Sequence, residues 1–217
     1  MAAHLLSLLL TLLSLHPLAM ALDLEQQAAI LVAIKNSFSP PPPALHATWT
    51  LANHAALCRS WPAVTCDNFD NNSIAVVSLE LSAHNISGSL SPAIAGLTAL
   101  RHLDLSSNSL SGELPASLAA LRSLRHLNLS NNQFNGTLQR LDLAAMSALR
   151  VLDLYDNDLA GPLPRTLPYE TLVHLDLGGN FFSGVIPGTT FGRLQAVEFL
   201  SLAGNSLVEL EHLEVVP

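Results

Sequence analysis

One phrase recurs along this chain at a nearly fixed interval, and that recurrence constrains the fold more than any other feature. It reads RHLDLSSNSLSGELP from Arg101 and RHLNLSNNQFNGTLQ from Arg125. With the middle leucine as marker, copies fall at Leu79, Leu103, Leu127, Leu152, Leu175 and Leu200, at intervals of 24, 24, 25, 23 and 25 residues. A second leucine follows two positions later each time: Leu81, Leu105, Leu129, Leu154, Leu177 and Leu202. Five positions after the marker stand Asn108, Asn132, Asn157, Asn180 and Asn205, with His84 in the first copy. A unit this short cannot bury its own leucines. Stacked units bury them in one continuous core.

Alternate residues of a strand face opposite ways, so Leu103 and Leu105 point inward while His102 and Asp104 point outward. The asparagine falls where the chain turns toward the core, and its amide can satisfy backbone groups there. Gly88, Gly112, Gly136, Gly161 and Gly184 suit a tight bend. Pro115, Pro164 and Pro187 fix an extended return segment. The expected fold is an α/β solenoid, a right-handed leucine-rich-repeat horseshoe with parallel strands on its concave side.

The flanks divide the chain further. LLSLLLTLLSL at residues 5–15 is too short to span a bilayer, and Ala19-Met20-Ala21 is a cleavage signal, so residues 1–21 read as a secretory signal peptide despite a weak basic start. In DLEQQAAILVAIKNSFSPPPP, Ala28, Leu31, Val32 and Phe38 have helical spacing; Asp23 is the expected cap and the prolines from Pro40 the expected stop. Cys58 and Cys66 are the only cysteines. In a secreted chain they point to a local disulfide, with two buried thiols as the alternative; two ligands do not make a zinc site. Repeats then cover residues 74–207. The tail 208–217 breaks the pattern, and the chain reads as a shortened form of something longer. A formal net charge of −8 without a basic patch argues against nucleic acid and acidic membranes.

The phrase LDLSSNSLSGELPASLAAL closely resembles the plant-specific leucine-rich repeat, and residues 22–73 resemble the helical N-terminal cap of plant leucine-rich-repeat receptors. Where that family has W-x-G-V, this chain has Trp61-Pro62-Ala63-Val64, and its cysteine spacing is about one residue longer. LEQQAAILVAIKNSF, VVSLELSAHNISGSLSPAIAGL, VLDLYDNDLAGPLP, HLDLGGNFFSGVIP and LSLAGNSL resemble CLAVATA / BARELY ANY MERISTEM-type receptor kinases, nearest the BARELY ANY MERISTEM branch. The resemblance implies an extracellular module that binds a secreted CLE-type peptide or a co-receptor kinase, in the apoplast here and at the plasma membrane in a full-length form. No membrane span, glycine-rich phosphate loop, H-R-D or D-F-G occurs, so the family's kinase activity does not carry over. Nor do the repeats in which the family mostly contacts peptide, including an arginine pair that reads the peptide's C-terminus. The other reading is a secreted inhibitor of microbial pectin-degrading enzymes, a class that typically has about ten repeats and a C-terminal cysteine cap.

The outward positions define a candidate strip. Between the strand leucines lie Glu80, Asp104, Asn128, Asp153, Asp176 and Ser201; before the markers lie His102, His126 and His174; two positions before them lie Arg101, Arg125 and Arg150. Tyr155 and Phe199 are candidate exposed anchors. Either these are consensus residues balancing one another's charge, or they recognise a ligand. Flanking carboxylates are expected to favour charged histidines. No enzymatic, metal or cofactor motif is present. N-x-S/T marks Asn71, Asn85, Asn128 and Asn135 for glycosylation, and Asn128, on the strip itself, is expected to be least occupied.

Overall fold

The computed structural model describes residues 22–69 and 73–210. The candidate leader, Asn71 and the last seven residues lie outside the described residues.

Helix α1 spans Leu24–Lys35 and starts in a capping box: Gln26 N donates to Asp23 Oδ1 at 2.8 Å, and Asp23 N donates back to Gln26 Oε1 at 3.1 Å. Its inner face buries Ala28, Leu31 and Ile34 completely, while Val32 is only partly buried. The prolines do not stop it. The helix ends at Lys35, five residues before Pro40, because the amides of Ser37 and Phe38 fold back on Ile34 and Lys35. Phe38 then bridges Gly88 of the first coil. That approach explains the glycine, since a Cβ on Gly88 would lie 2.2 Å from the Ser37 carbonyl oxygen.

Helix α2 (Pro43–Thr48) leads into Trp49, which stacks on Trp61 with ring centroids 5.7 Å apart. Both indoles are buried, and each donates to a backbone carbonyl, of Pro62 and Asn53 respectively. The Lys35 ammonium reaches the Trp49 carbonyl at 2.7 Å inside the same cap. Cys58 and Cys66 are joined in a disulfide, which ties the cap to strand β1 (Val64–Phe69). Ala63 has φ +65°, the left-handed conformation in the place where the related pattern has glycine.

Strand β1 pairs antiparallel with β2 (Ser73–Glu80), and the cap thereby covers the first edge of the main sheet. This strand was not foreseen from the sequence. Each coil then contributes a strand to each of two sheets. In chain order they are β3 (Ser87–Gly88), β4 (His102–Asp104), β5 (Ser109–Glu113), β6 (His126–Asn128), β7 (Gln133–Gly136), β8 (Val151–Asp153), β9 (Asp158–Gly161), β10 (His174–Asp176), β11 (Phe181–Ile186), β12 (Phe199–Ser201) and β13 (Ser206–Leu210). The main sheet runs β1-β2-β4-β6-β8-β10-β12 and the second runs β13-β11-β9-β7-β5-β3. From β2 onward the main sheet is parallel and pairs marker with marker, Leu79↔Leu103↔Leu127↔Leu152↔Leu175↔Leu200. Parallel strands stack about 4.8 Å apart, whereas the helical turns on the return side are wider, so the stack curves with its main sheet inside.

The first five marker leucines have no exposed surface, but Leu200 is 46% exposed because no described coil lies beyond it. The asparagines stitch the coils. Asn157 Nδ2 donates to the carbonyls of Leu129, Leu154 and Tyr155, and its Oδ1 accepts from Phe134 N in the preceding coil. Asn108, Asn132, Asn180 and Asn205 repeat the pattern. In the first copy, His84 Nδ1 donates to Ser82 O instead, and its amide is held by Asn108. One position before each of these residues the backbone is left-handed, at Ala83, Ser107, Asn131, Asp156, Gly179 and Gly204, with φ between 54° and 68°.

Candidate concave recognition surface

The parallel register turns the outward positions into columns along the solenoid. The middle column is Ser78, His102, His126, Val151, His174 and Phe199. Its rings stack in pairs: His102 on His126 at 4.3 Å between centroids, and His174 on Phe199 at 4.4 Å. Val151 separates the two stacks. Tyr155, 44% exposed, lies against Gly179, where an added Cβ would meet its Cε2 at 3.4 Å. Phe199 is likewise 44% exposed.

The acidic column is less free than its sequence suggests. Asp104 Oδ1 accepts from Ser106 N and Oγ at 2.9 and 2.6 Å. Asn128 Oδ1 accepts from the same two groups of Ser130. Asp153 and Asp176 each cap the amide two residues on, of Tyr155 and Gly178. Glu80 instead accepts from Ser78 Oγ. One oxygen of Asp104, Asn128, Asp153 and Asp176 is therefore committed to turning the chain, and in the three aspartates the second oxygen stays available on the strip. A sequence signal exists for two of the four caps, the Ser two positions after Asp104 and Asn128; Tyr155 and Gly178 hold that place after Asp153 and Asp176.

The basic positions differ from one another. Arg101 pairs with Asp67 of β1 at 3.0 Å, so it balances the cap strand rather than the acidic column. Arg125 and Arg150 are exposed and form no ion pair among the described residues.

The expected charging of the histidines fails at His126. Burial holds its pKa below the usual imidazole value, the adjacent His102 adds to that, and Asp104 and Asp153 only partly oppose them. A ring sandwiched at a half-buried position loses more hydration than the neighbouring carboxylates return. Asp153 moves up for the same reason: burial outweighs the amide of Tyr155. Among the described residues no group of three or more His, Cys, Asp or Glu could hold a metal ion.

Of the remaining sequons, Asn85 and Asn135 are exposed and Asn128 is half-buried within β6. No helix among the described residues is long and apolar enough to cross a membrane.

Residues 24–67 match the leucine rich repeat N-terminal domain family, and residues 74–134, 148–169 and 171–192 match leucine rich repeat families. A chain in the crystal structure of the BIR3–SERK2 complex from Arabidopsis thaliana is 30% identical and superposes with a TM-score of 0.65, covering 82% of this chain and 93% of that one. The chain belongs to the plant leucine-rich-repeat receptor-kinase ectodomains. The crystal structure titled PEPR1-AtPEP1 aligns with this ectodomain at a TM-score of 0.65 and 31% identity, covering 84% of this chain and 28% of that one. The LRR receptor-like serine/threonine-protein kinase ERL1 of Arabidopsis thaliana is 41% identical over 78 residues, 36% of this chain. The ectodomain spans 12% and 8% of the length of the curated relatives it matches. The regions matched are leucine-rich-repeat ectodomain.

Proposed function

We propose that this ectodomain recognises an extended secreted peptide outside the cell, along the column of rings between Arg125 and Arg150 on one side and the free carboxylate oxygens of Asp104, Asp153 and Asp176 on the other. The observation that carries the reading is the register itself. Identical positions of successive strands align about 4.8 Å apart, so a chain laid along the solenoid axis meets three interrupted columns: basic at Arg101, Arg125 and Arg150, rings at His102, His126, His174 and Phe199, and acids at Asp104, Asp153 and Asp176. Rings and arginines are the side chains that most often anchor interfaces. The likeness to the PEPR1-AtPEP1 structure supports a peptide, and the likeness to the BIR3–SERK2 complex supports a second receptor-kinase ectodomain as a further partner. Within this reading the peptide is of the CLE type, as the CLAVATA / BARELY ANY MERISTEM resemblance of the repeat sequences implies.

The test titrates purified protein with synthetic CLE-type peptides in a calorimeter and repeats the titration with Arg125→Glu and Arg150→Glu. Neither arginine packs in the core, so the variants should fold. Each should weaken binding about tenfold or more, roughly 1.4 kcal/mol. Binding that ignores both substitutions, or no binding by any of these peptides, would overturn the proposal.

A further inference from the structure

The ring column of the strip has one gap. In register its outward positions run His102, His126, Val151, His174 and Phe199, one per coil. Four of them are planar rings and the middle one is not. His102 and His126 lie 14° from parallel, and His174 and Phe199 lie 9° from parallel. Each ring therefore turns its faces along the solenoid axis. One face of His126 is covered by His102 and one face of His174 by Phe199, so their remaining faces look toward each other across the fourth coil. In the register between them stands Val151, whose branched side chain ends at Cγ, short of the reach of an imidazole. His126, Val151 and His174 are all partly exposed.

We infer that the space over Val151 is a slot for one aromatic side chain of the bound peptide, which intercalates between His126 and His174 and completes a column of five rings. This slot rests on the peptide reading of the strip and sets which side chain the strip selects. His126 and His174 are two strand intervals apart, about 9.6 Å. A ring centred between them lies about 4.8 Å from each, inside the range for stacked aromatic pairs. The intervals on either side, 4.3 and 4.4 Å, show that this column packs rings at such distances. The methyls of Val151 supply an apolar floor. Burial holds the His126 pKa below its usual value, so one wall of the slot is a neutral ring at pH 7. An aliphatic side chain can enter the same space, but it is not flat and leaves part of both imidazole faces uncovered. Stacking on two faces should favour tyrosine over leucine about two- to tenfold in affinity. Val151 is the residue that sets this specificity, because a ring at its position would close the column and shut the slot.

The test uses the whole chain, with the Val151 methyl and histidine ring signals assigned by NMR. The probes are two uncharged blocked pentapeptides in which glycines surround a central tyrosine or a central leucine. The tyrosine peptide should move the Val151 methyls and the ring protons of His126 and His174 upfield, saturably. The leucine peptide should give smaller shifts and need about two- to tenfold more peptide to saturate. Val151→Phe should show the histidine shifts before any peptide is added and none on titration. Val151→Ala, which leaves the slot open and guards against a folding defect, should still respond to tyrosine. Equal responses to the two peptides, no response to either, or a Val151→Phe chain that still takes the tyrosine would overturn the inference. Because the probes carry no charge, Arg125→Glu and Arg150→Glu should leave the shifts in place. Absence of CLE-type binding with the shifts intact would count against the peptide reading alone, and CLE-type binding without the shifts against the slot alone.

Discussion

The asparagine ladder makes a sharp demand on a single residue. Asn157 is 5% exposed and makes four hydrogen bonds to backbone groups. Replacing it with alanine does not affect them equally. Leu129 O keeps Asn132, Leu154 O keeps Asn180, and Tyr155 O keeps the amide of Asn131. Phe134 N loses its side-chain acceptor in a buried setting. An unsatisfied buried amide costs about 1–3 kcal/mol, and each weakened carbonyl adds a few tenths to about 0.5 kcal/mol, so Asn157→Ala should destabilise by roughly 3 kcal/mol. With a urea slope near 2 kcal/mol/M, the unfolding midpoint should fall by about 1.5 M at unchanged slope. Asn157→Asp isolates the donor side. It retains an oxygen for Phe134 N but aims a buried carboxylate at three carbonyl oxygens, and should cost more than alanine at neutral pH. Asn205→Ala, in the less buried last coil, should cost less than either. A loss below about 1 kcal/mol for Asn157→Ala, or equal losses at Asn157 and Asn205, would refute the claim that these amides hold neighbouring coils together.

Two further outcomes follow from local geometry. Ala63→Gly should stabilise the cap by up to about 1 kcal/mol in the same urea assay, because relief of a left-handed alanine exceeds the added freedom of glycine in the unfolded chain; any destabilisation would contradict this. Because the folded pKa of His126 is lowered, the unfolded chain binds the proton more readily, so this contribution is intact above pH 6.5 and is lost as pH falls below it; the wild-type urea midpoint should drop more between pH 7.5 and 5.5 than that of His126→Phe, and equal drops would count against it.

Much of the fold is legible in the residues because a 24-residue period admits few solutions. The marker leucines, ladder asparagines and bend glycines each have one use, and each falls at a fixed offset. The Asp23 cap, the buried face of α1 and the cysteine pairing were readable for the same reason: their partners lie close in sequence. The candidate strip was legible as a list of outward positions but not as a surface. Its aspartates look like free charges in sequence, yet each spends an oxygen on its own turn.

What the sequence by itself determined was the coil: which residues face in, which face out, and how often. What only the tertiary structure decided was everything that depends on two coils at once. Arg101 chose Asp67, 34 residues away on a cap strand that the repeat pattern does not contain. His126 came to lie against His102 in a half-buried stack, and burial there outweighed the carboxylates that a one-dimensional reading set beside it. Ala63 took a glycine's conformation at the turn from the tryptophan cap into β1, where its carbonyl accepts from Glu80 N of β2. Periodicity fixes orientation, since it depends only on the number of residues between like positions. Electrostatics and strain depend on distance and solvent access, and those arise only when the coils stack.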